Sequence, residues 1–343
     1  MPGRLVRHVL ALDDGHRVGV AVAGRGVPLV VVHGFGVEGL LYAQPLGRLA
    51  ALGFRVVAVD AAGHGATAGL GEQFDLTPSA ELLGRTLDHL GIRRAVLAGH
   101  SMGGRLVAEV AADRPEQAIA VLLLDAIVGE PWDRLQARLR WLPPWFALFA
   151  LAFAADAIAT VPLVDPGQAL KLGRRVARSV LLHATRPWRS MTPGLSVWWA
   201  RPSVPVLEAL GDHGVPVVAI HGDRDLVVPL DASRDAAART GGELIVVRGA
   251  THSWMLRCPE TFPSIVSELL GTTLGAACDR AVSEAGLDPV TASPAQVEVA
   301  CCEPGAVLPQ LGPDVPMLRP AADRRAPEYD WDWVPVESSG PLA

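Results

Sequence analysis

The chain has 343 residues, of which 50% are hydrophobic and 19% charged, and its formal net charge at pH 7 is −6. This length allows one large domain with an insertion, or two smaller domains, each with a sizeable core. Both charge signs are spread along the chain without a basic block, which argues against nucleic acid as a partner. The four cysteines lack zinc-type spacing, and the first residues lack the apolar core of a signal peptide, so we expect free thiols and a cytoplasmic protein.

Residues 1–126 are predicted to form the first part of an α/β core. They begin with a β-hairpin over 5–23, turning at Asp13-Asp14-Gly15. Short apolar runs then recur at 29–32, 55–59, 95–98, 121–124, 217–220 and 244–247. Helix-like segments lie between most of these runs, at 79–90, 105–114 and 233–239. This alternation predicts a mostly parallel, doubly wound sheet with buried strands, whose ligands bind beyond the carboxyl ends of the strands.

The most informative stretch of the chain is Gly99-His100-Ser101-Met102-Gly103. Because it lies between an apolar run and a helix-like segment, Ser101 is predicted on a sharp strand-to-helix turn. The flanking glycines allow the tight backbone that such a serine requires, and the start of the helix offers unpaired N–H groups. A glycine-rich turn with an incidental serine would have the same sequence, so a nucleophile requires partners elsewhere in the chain.

The alternation stops after Asp125, and residues 127–205 are predicted to form a helical cap insertion over the sheet edge. Six of the nine tryptophans fall in this segment. Residues 145–164 are almost wholly apolar, with Asp156 the only charge, and approach the length of a membrane span. A cap helix lining an apolar pocket is the favoured interpretation, since a span inside the domain would disrupt the sheet. Association of the cap with a membrane surface is a weaker alternative.

Residues 206–274 are predicted to complete the core, and they contain candidate partners for Ser101. A serine nucleophile needs a base to accept its proton and a carboxylate to orient that base. The candidate base is His252, in the loop after the last predicted strand. Two aspartates follow the preceding strand. Asp225 is favoured as the acid because it lies farther out in its loop, whereas Asp223 is expected to cap the turn or pair with the arginine beside it.

Two backbone N–H groups are candidates for an oxyanion hole, which binds the charge that develops on a substrate oxygen. One is the N–H of Met102, at the start of the helix that follows the serine. The other is the N–H of Phe35, in the loop His33-Gly34-Phe35-Gly36, where the glycines allow the backbone to turn its N–H groups inward. His33 is expected to order this loop rather than to transfer protons.

Residues 275–343 are predicted to form a proline-rich, acidic C-terminal tail, extended or disordered apart from a possible short helix at 276–285. The stretch Glu328-Tyr329-Asp330-Trp331-Asp332-Trp333 offers aromatic groups for docking on a partner or on the cap. A solvated tail with no role in chemistry is the favoured interpretation.

Taken in chain order, these motifs resemble those of the α/β-hydrolase superfamily in its capped, single-domain form. The matching segments are 33–36, 60–65, 99–104, 222–229 and His252, within a region of about residues 5–271. The resemblance implies the α/β-hydrolase fold and a Ser101, Asp225, His252 triad that needs no cofactor or metal. It also implies a carboxylic ester substrate, for which the tryptophan-rich cap suggests a hydrophobic acyl or alcohol group. The haloalkane dehalogenases and epoxide hydrolases of this fold use an aspartate nucleophile, and Ser101 argues against both.

Three alternatives stay open at this point. The same triad can transfer an acyl group or cleave a carbon–carbon bond, although the carbon–carbon hydrolases usually carry asparagine where this chain has His100. Phe35 and Met102 are compatible with the cofactor-free haloperoxidase-like members. The scaffold can also serve as a non-catalytic ligand-binding protein, because fold does not determine function.

Overall fold

The computed structural model describes residues 5–36, 42–71, 75–141, 151–152, 155–156, 187–312 and 327–336. Most of the predicted cap helix at 145–164, and much of the 127–205 segment, lie outside these residues. The domain boundaries at 126, 205 and 274 therefore stay predictions.

Nine strands form a single sheet. They are β1 (Val6–Ala11), β2 (Arg17–Ala23), β3 (Val27–Val32), β4 (Phe54–Val59), β5 (Ala95–His100), β6 (Ala118–Leu124), β7 (Val217–Gly222), β8 (Glu243–Val247) and β9 (Trp331–Val334). Their spatial order is β1-β2-β4-β3-β5-β6-β7-β8-β9. The six strands from β4 to β8 in that order pair in parallel, while β1, β2 and β9 are antiparallel to their neighbours. The prediction of a mostly parallel sheet is confirmed.

Helices cover both faces of this sheet. They are α1 (Ala43–Ala51), α2 (Thr77–Leu90), α3 (Met102–Asp113), α4 (Glu130–Trp141), α5 (Pro187–Trp199), α6 (Val204–Asp212), α7 (Leu230–Thr240), α8 (Trp254–Arg257), α9 (Thr261–Leu269), α10 (Thr273–Glu284) and α11 (Pro294–Ala300). On one face the strands pack against α2, α3, α6 and α7, and on the other against α1, α9, α10 and α11. In the described part of the chain, none of the helices combines the length and the apolar character needed to cross a bilayer.

The apolar runs of the sequence are continuous because the inner strands that contain them are buried on both faces. In β3, Val30 and Val32 face one core cluster, while Leu29 and Val31 face the other. Since successive strand residues point to opposite faces, a strand covered on both sides has no position for a solvated polar residue. Polar residues therefore appear where the strands end, and these ends form the candidate site.

Helix α10 corresponds to the short helix predicted at 276–285, but the prediction that the rest of the tail is extended or disordered is wrong for helix α11 and strand β9. Helices α10 and α11 bury small and medium apolar side chains in the core cluster under β5 and β6, namely Ala277, Cys278, Ala281, Val282 and Val297. Strand β9 pairs with β8 and extends the sheet. The composition of the tail predicted disorder because its small side chains add little to the hydrophobicity of the segment. The same small side chains allow a helix to pack closely on the sheet. Residues 313–326 and 337–343 of the predicted tail lie outside the described residues.

Candidate active site

Ser101 occupies the one-residue turn between β5 and α3. Its backbone has φ 54° and ψ −117°, and among the described residues only Asp125 shares a positive φ without being a glycine. A Cβ on Gly99 would overlap the Gly103 carbonyl oxygen, and one on Gly103 would overlap the Val32 carbonyl oxygen. The glycines of the motif are thus required by close backbone contacts, and the turn holds its serine in a strained conformation of the kind found at functional sites.

Asp225 and His252 are brought together at the same edge of the sheet. Asp225 follows β7 by three residues, and His252 follows β8 by five. Nδ1 of His252 lies 2.7 Å from Oδ2 of Asp225, and both side chains are buried. The other carboxylate oxygen accepts the N–H groups of Val227 and Val228, at 2.7 and 2.9 Å. The carboxylate is therefore held as an acceptor, His252 donates from Nδ1, and Nε2 is left to accept a proton.

Asp225 and His252 shift each other's pKa in opposite directions. Burial lowers the pKa of His252, but the charge of Asp225 and its hydrogen bond outweigh burial and raise that pKa to about 9. Burial also raises the pKa of Asp225, and the charge and hydrogen bond of His252 reverse the effect, so its pKa lies below the usual range. The pair is thus suited to stabilise an imidazolium, which is the form a general base takes after it accepts a proton.

His100, the residue before Ser101, contacts the candidate base. Nε2 of His100 lies 2.9 Å from the carbonyl oxygen of His252, and the two imidazole rings are 4.8 Å apart. Within the described residues, Ser101 Oγ makes no hydrogen bond to His252. Catalytic hydrogen bonds are often long before a substrate binds, so the proton transfer between these two residues stays a prediction.

The loop after β3 lies directly against the serine. A Cβ on Gly34 would lie 3.2 Å from Ser101 Cβ, so only glycine permits this approach. The N–H of Met102 is at the first position of α3 and has no partner within its helix. Neither this N–H nor that of Phe35 donates to an acceptor among the described residues. Both groups remain candidates for an oxyanion hole.

Two buried histidines order that loop. His33 Nε2 accepts the N–H of Ala61 at 3.0 Å, and His64 Nε2 accepts the N–H of Gly36 at 3.1 Å. Each ring therefore ties the loop after β3 to the loop after β4. This geometry agrees with a structural role for His33.

Asp223, the other aspartate that follows β7, bonds to a backbone N–H instead of the histidine. Asp223 Oδ1 accepts the N–H of Gly249 at 2.6 Å, which ties the loop after β7 to the loop after β8. Asp223 thus holds the turn, whereas Asp225 contacts the histidine.

Asp125, at the end of β6, is a buried carboxyl that the sequence analysis did not place in the site. Its Oδ1 accepts the N–H of Gly222 at 2.9 Å, and its Oδ2 accepts the indole N–H of Trp254 at 2.6 Å. It therefore ties the loop of Asp225 to the helix that follows His252. Burial and the charge of Asp225 raise its pKa well above the usual range. The available signal was a polar residue closing an apolar run, the same signal that marked the other strand ends.

One group of these residues could hold a metal ion only if the ion displaced hydrogen bonds that the residues already make. Asp125, His221 and Asp225 each offer a ligand atom, all within 4.8 Å of one another. The Asp125 oxygens already accept two N–H groups, and Asp225 Oδ2 accepts from His252. A cation would have to displace these hydrogen bonds, so the donor set fits a protein network better than a metal site.

Among the described residues of the predicted cap at 127–205, Asp156 and Gly194 lie close to the site. Asp156 is buried, and its Oδ1 accepts the N–H of Ser253 at 3.1 Å, directly after the candidate base. Its charge contributes to the raised pKa of His252. A Cβ on Gly194 of α5 would lie 3.3 Å from the Phe35 ring, so this helix packs close to the loop after β3.

Residues 29–262 match the sequence model of a family described as the alpha/beta hydrolase family. The chain is 35% identical over 264 residues to a putative non-heme haloperoxidase of Mycobacterium phage D29, covering 75% of this chain and 92% of that protein. It is 26% identical over 261 residues to the non-heme chloroperoxidase CPO-A1 of Kitasatospora aureofaciens, covering 70% and 90%. The solved structure of the esterase RhEst1 from Rhodococcus sp. ECU1013 superposes with a TM-score of 0.60 at 22% identity, covering 79% of this chain and 99% of that chain.

Proposed function

The chain belongs to the alpha/beta hydrolase family, and from this premise we propose that it is a serine hydrolase of carboxylic esters. Ser101 is the nucleophile, His252 the general base and Asp225 the acid that orients it. The observation that carries the proposal is the buried Asp225–His252 hydrogen bond of 2.7 Å at the sheet edge that also carries the strained turn at Ser101.

The reaction proceeds in two steps. Ser101 Oγ attacks the ester carbonyl carbon while His252 Nε2 accepts the hydroxyl proton. The negative charge on the carbonyl oxygen is bound by the N–H groups of Phe35 and Met102. The tetrahedral intermediate collapses, the alcohol leaves with the proton from His252, and the acyl group stays on the serine. Water then attacks the acyl-enzyme with His252 again as base, releasing the acid and restoring the hydroxyl.

The protein environment supports the charge changes of this cycle. Asp225 holds the Nδ1–H of His252 and stabilises the imidazolium formed in each step. Loss of one oxyanion donor in such sites typically costs about 10²–10³ in rate, so the position of the loop after β3 matters as much as the triad. The tryptophan-rich cap segment and the packing of α5 near Phe35 support a hydrophobic acyl or alcohol group on the substrate.

A fluorophosphonate probe tests the nucleophile directly, because it reacts with activated serines. We expect labelling of the wild-type protein at Ser101, loss of labelling in Ser101→Ala, and parallel loss of p-nitrophenyl ester hydrolysis. Ser264→Ala is a matched control on α9, where the hydroxyl bonds to the Glu260 carbonyl and to no other group among the described residues. Full ester hydrolysis by folded Ser101→Ala protein would overturn the proposal.

Perhydrolysis is a second candidate, favoured by the 35% identity to a protein named as a putative non-heme haloperoxidase. Hydrogen peroxide would replace water in the second step, releasing a peracid and restoring the Ser101 hydroxyl. With hydrogen peroxide, a carboxylic acid and bromide supplied, the peracid oxidises bromide to hypobromous acid and reverts to the carboxylic acid. The resulting bromination of monochlorodimedone measures the peracid formed. Bromination that requires Ser101 and exceeds ester hydrolysis would favour this reaction. Ester hydrolysis without bromination would reject it.

A further inference from the structure

We propose that Tyr42 and His100 are positioning residues that join two loops through one directed hydrogen-bond chain. The first is the base loop, which follows β8 and carries His252. The second is the oxyanion loop, His33 to Gly36, which follows β3 and carries Phe35. The proposal deepens the serine hydrolase function and rests on it. Neither residue contacts the carboxylate of the triad in the described structure, and neither is required by the serine chemistry itself. Their role is to hold the groups that perform it.

The chain of contacts is buried and continuous. Tyr42 immediately precedes α1 and His100 ends β5, and their side chains are 3% and 4% exposed. The Tyr42 hydroxyl lies 3.0 Å from His100 Nδ1, and His100 Nε2 lies 2.9 Å from the carbonyl oxygen of His252. At the other end, the Gly34 backbone lies against the chain, since a Cβ on Gly34 would lie 2.8 Å from His100 Nδ1. Burial raises the pKa of Tyr42, and the nearby Gly34 N–H opposes that effect.

The direction of every hydrogen bond follows from the carbonyl group. A carbonyl oxygen only accepts, so His100 must donate to His252 from Nε2. Burial, with the charge of His252, lowers the pKa of His100 to about 3, so its ring is neutral near neutral pH and Nδ1 is an acceptor. The Tyr42 hydroxyl must then donate to Nδ1, which leaves its oxygen as an acceptor. One proton arrangement satisfies the whole chain.

Both ends of the chain are catalytic loops. Gly34 precedes Phe35, the candidate oxyanion donor, and His252 is the candidate base. The contact between Gly34 and His100 is close. A shift of the imidazole would therefore move the oxyanion loop and the base backbone together. The chain sets the separation between the group that takes the proton and the group that binds the oxyanion.

The main competing role for these side chains is simple core packing. Tyr42 belongs to the apolar cluster beside α1, where its ring would contribute without any hydroxyl. Tyr42→Phe separates the two roles, because it keeps the ring and removes only the donor. The chain has two tyrosines, and Tyr329→Phe is the matched control, since Tyr329 belongs to the same cluster but lies in the C-terminal segment.

We expect Tyr42→Phe to lower kcat for p-nitrophenyl esters by about tenfold, the worth of one buried hydrogen bond to catalysis, with KM changed by less than about twofold. Only kcat falls because the base and the oxyanion donors act in the transition state. The rate of fluorophosphonate labelling at Ser101 should fall in parallel, while Tyr329→Phe leaves both rates unchanged. A kcat for Tyr42→Phe equal to wild type, or a rise in KM alone, would overturn the proposal.

Two variants of His100 test the donor in the chain. His100→Gln keeps an N–H that can reach the His252 carbonyl, whereas His100→Leu fills the site with apolar volume. We expect kcat to fall in the order wild type, Gln, Leu, although leucine is the better core residue. A packing role predicts the reverse order of the two variants, and that order would contradict the proposal.

Nitrogen NMR of the histidine rings tests the chain independently of turnover. We expect His100 as the neutral Nε2–H form, without titration between about pH 5 and 9. A ring protonated at Nδ1 would overturn the proposal. If Ser101→Ala kept full activity while His100 showed the expected form, the proposed function would fail and the hydrogen-bond chain would stand. If Ser101→Ala were inactive and Tyr42→Phe fully active, only the positioning proposal would fail.

Discussion

The two ends of the parallel strands use buried polar groups for different purposes. At the carboxyl ends, the two non-glycine residues with positive φ in the described chain, Ser101 and Asp125, follow β5 and β6 directly. The amino ends are closed by the C-terminal segment. The N–H groups of Arg93 and Arg94 donate to the carbonyl of Cys301, and Arg55 donates to the carbonyls of the 308–311 turn. In the part of the chain that the structure describes, the strained non-glycine residues thus lie at the carboxyl ends of the strands.

The buried charges follow the same division. At the amino ends, Glu298 of α11 is fully buried between Arg25 and Arg55, with ion-pair distances of 3.2 Å to each. Two cations surround one anion, and the cluster joins a late helix to the early strands β3 and β4. At the carboxyl ends, Asp225 pairs with His252, the proposed base, which would change its protonation state during the reaction. The Glu298 cluster stabilises one fixed set of charges. The Asp225–His252 pair is suited to a proposed reaction in which the histidine gains and loses a proton.

The largest expected effect comes from a substitution at the carboxyl ends of the strands. Ser101→Gly should lower kcat for esters by about 10⁴–10⁶, because the nucleophile is lost and only binding and oxyanion stabilisation remain. The same change should raise the free energy of unfolding by about 1 kcal/mol, because glycine adopts this backbone without strain. Ester turnover and urea unfolding measure the two effects.

Ser253→Gly provides a control for the gain in stability. Its φ is −103°, so glycine relieves no strain there and should not stabilise the protein. A lower unfolding free energy for Ser101→Gly than for the wild type would contradict the view that strain is stored at Ser101.

The next largest effect is expected from a substitution at the amino ends of the strands. Glu298→Ala should lower the free energy of unfolding by about 3–5 kcal/mol, because it leaves the buried Arg55 and the partly buried Arg25 without their counter-ion. The kcat of the remaining folded protein should stay within about twofold of wild type, since this end carries no catalytic group. Glu284→Ala is the control, because its ion pair with Arg94 is exposed and contributes about 1 kcal/mol or less. Equal destabilisation by both variants would show that burial is not the decisive difference.

The smallest effect concerns the pH dependence of the base. His252 must be neutral to accept a proton, and its raised pKa of about 9 means that kcat/KM should rise with pH up to about that value. Asp156→Asn keeps an oxygen for the N–H of Ser253 but removes a negative charge that favours the imidazolium. The rising limb should therefore move to lower pH, by less than about one unit because Asp225 dominates.

The pH profile of kcat/KM for wild type and Asp156→Asn measures this shift. The acids that raise the His252 pKa are Asp225, Asp125 and Asp156, and His100 lies beside it as a neutral ring. A shift to higher pH would contradict the assigned charge. The same linkage predicts that the stability contributed by the imidazolium pair is present below about pH 6.5 and lost as pH rises through about 9.

Some parts of the fold could be predicted because local physics left few choices. The buried parallel strands required continuous apolar runs. The turn at Ser101 required glycines because backbone atoms touch there. The helix α11 carried a signal that composition concealed. Ser293 and Gln296 form a reciprocal capping box with Pro294 at the first position, the pattern of a helix start. Residue counts over the whole segment hid this local motif.

The contacts between distant loops could not be predicted in the same way. Asp125 bonds to an indole N–H 129 residues later, and His100 bonds to a carbonyl 152 residues later. No local periodicity encodes such a pair, because the strand order brings the loops together. The hydroxyl of Tyr42 gave no sequence signal either, since a tyrosine at a helix start is compatible with ordinary packing.

By itself, the sequence determined the sheet, the strained turn at Ser101 and the candidates Asp225 and His252, because each depends on local sterics or on the position of a residue after a strand. The tertiary structure decided which aspartate meets the histidine, that the His100 ring lies between the Tyr42 hydroxyl and the His252 carbonyl, and that the C-terminal segment closes the amino ends of the strands. These outcomes depend on contacts between residues far apart in the chain. Their free energy comes from burial and charge pairing that exist only once the sheet has assembled.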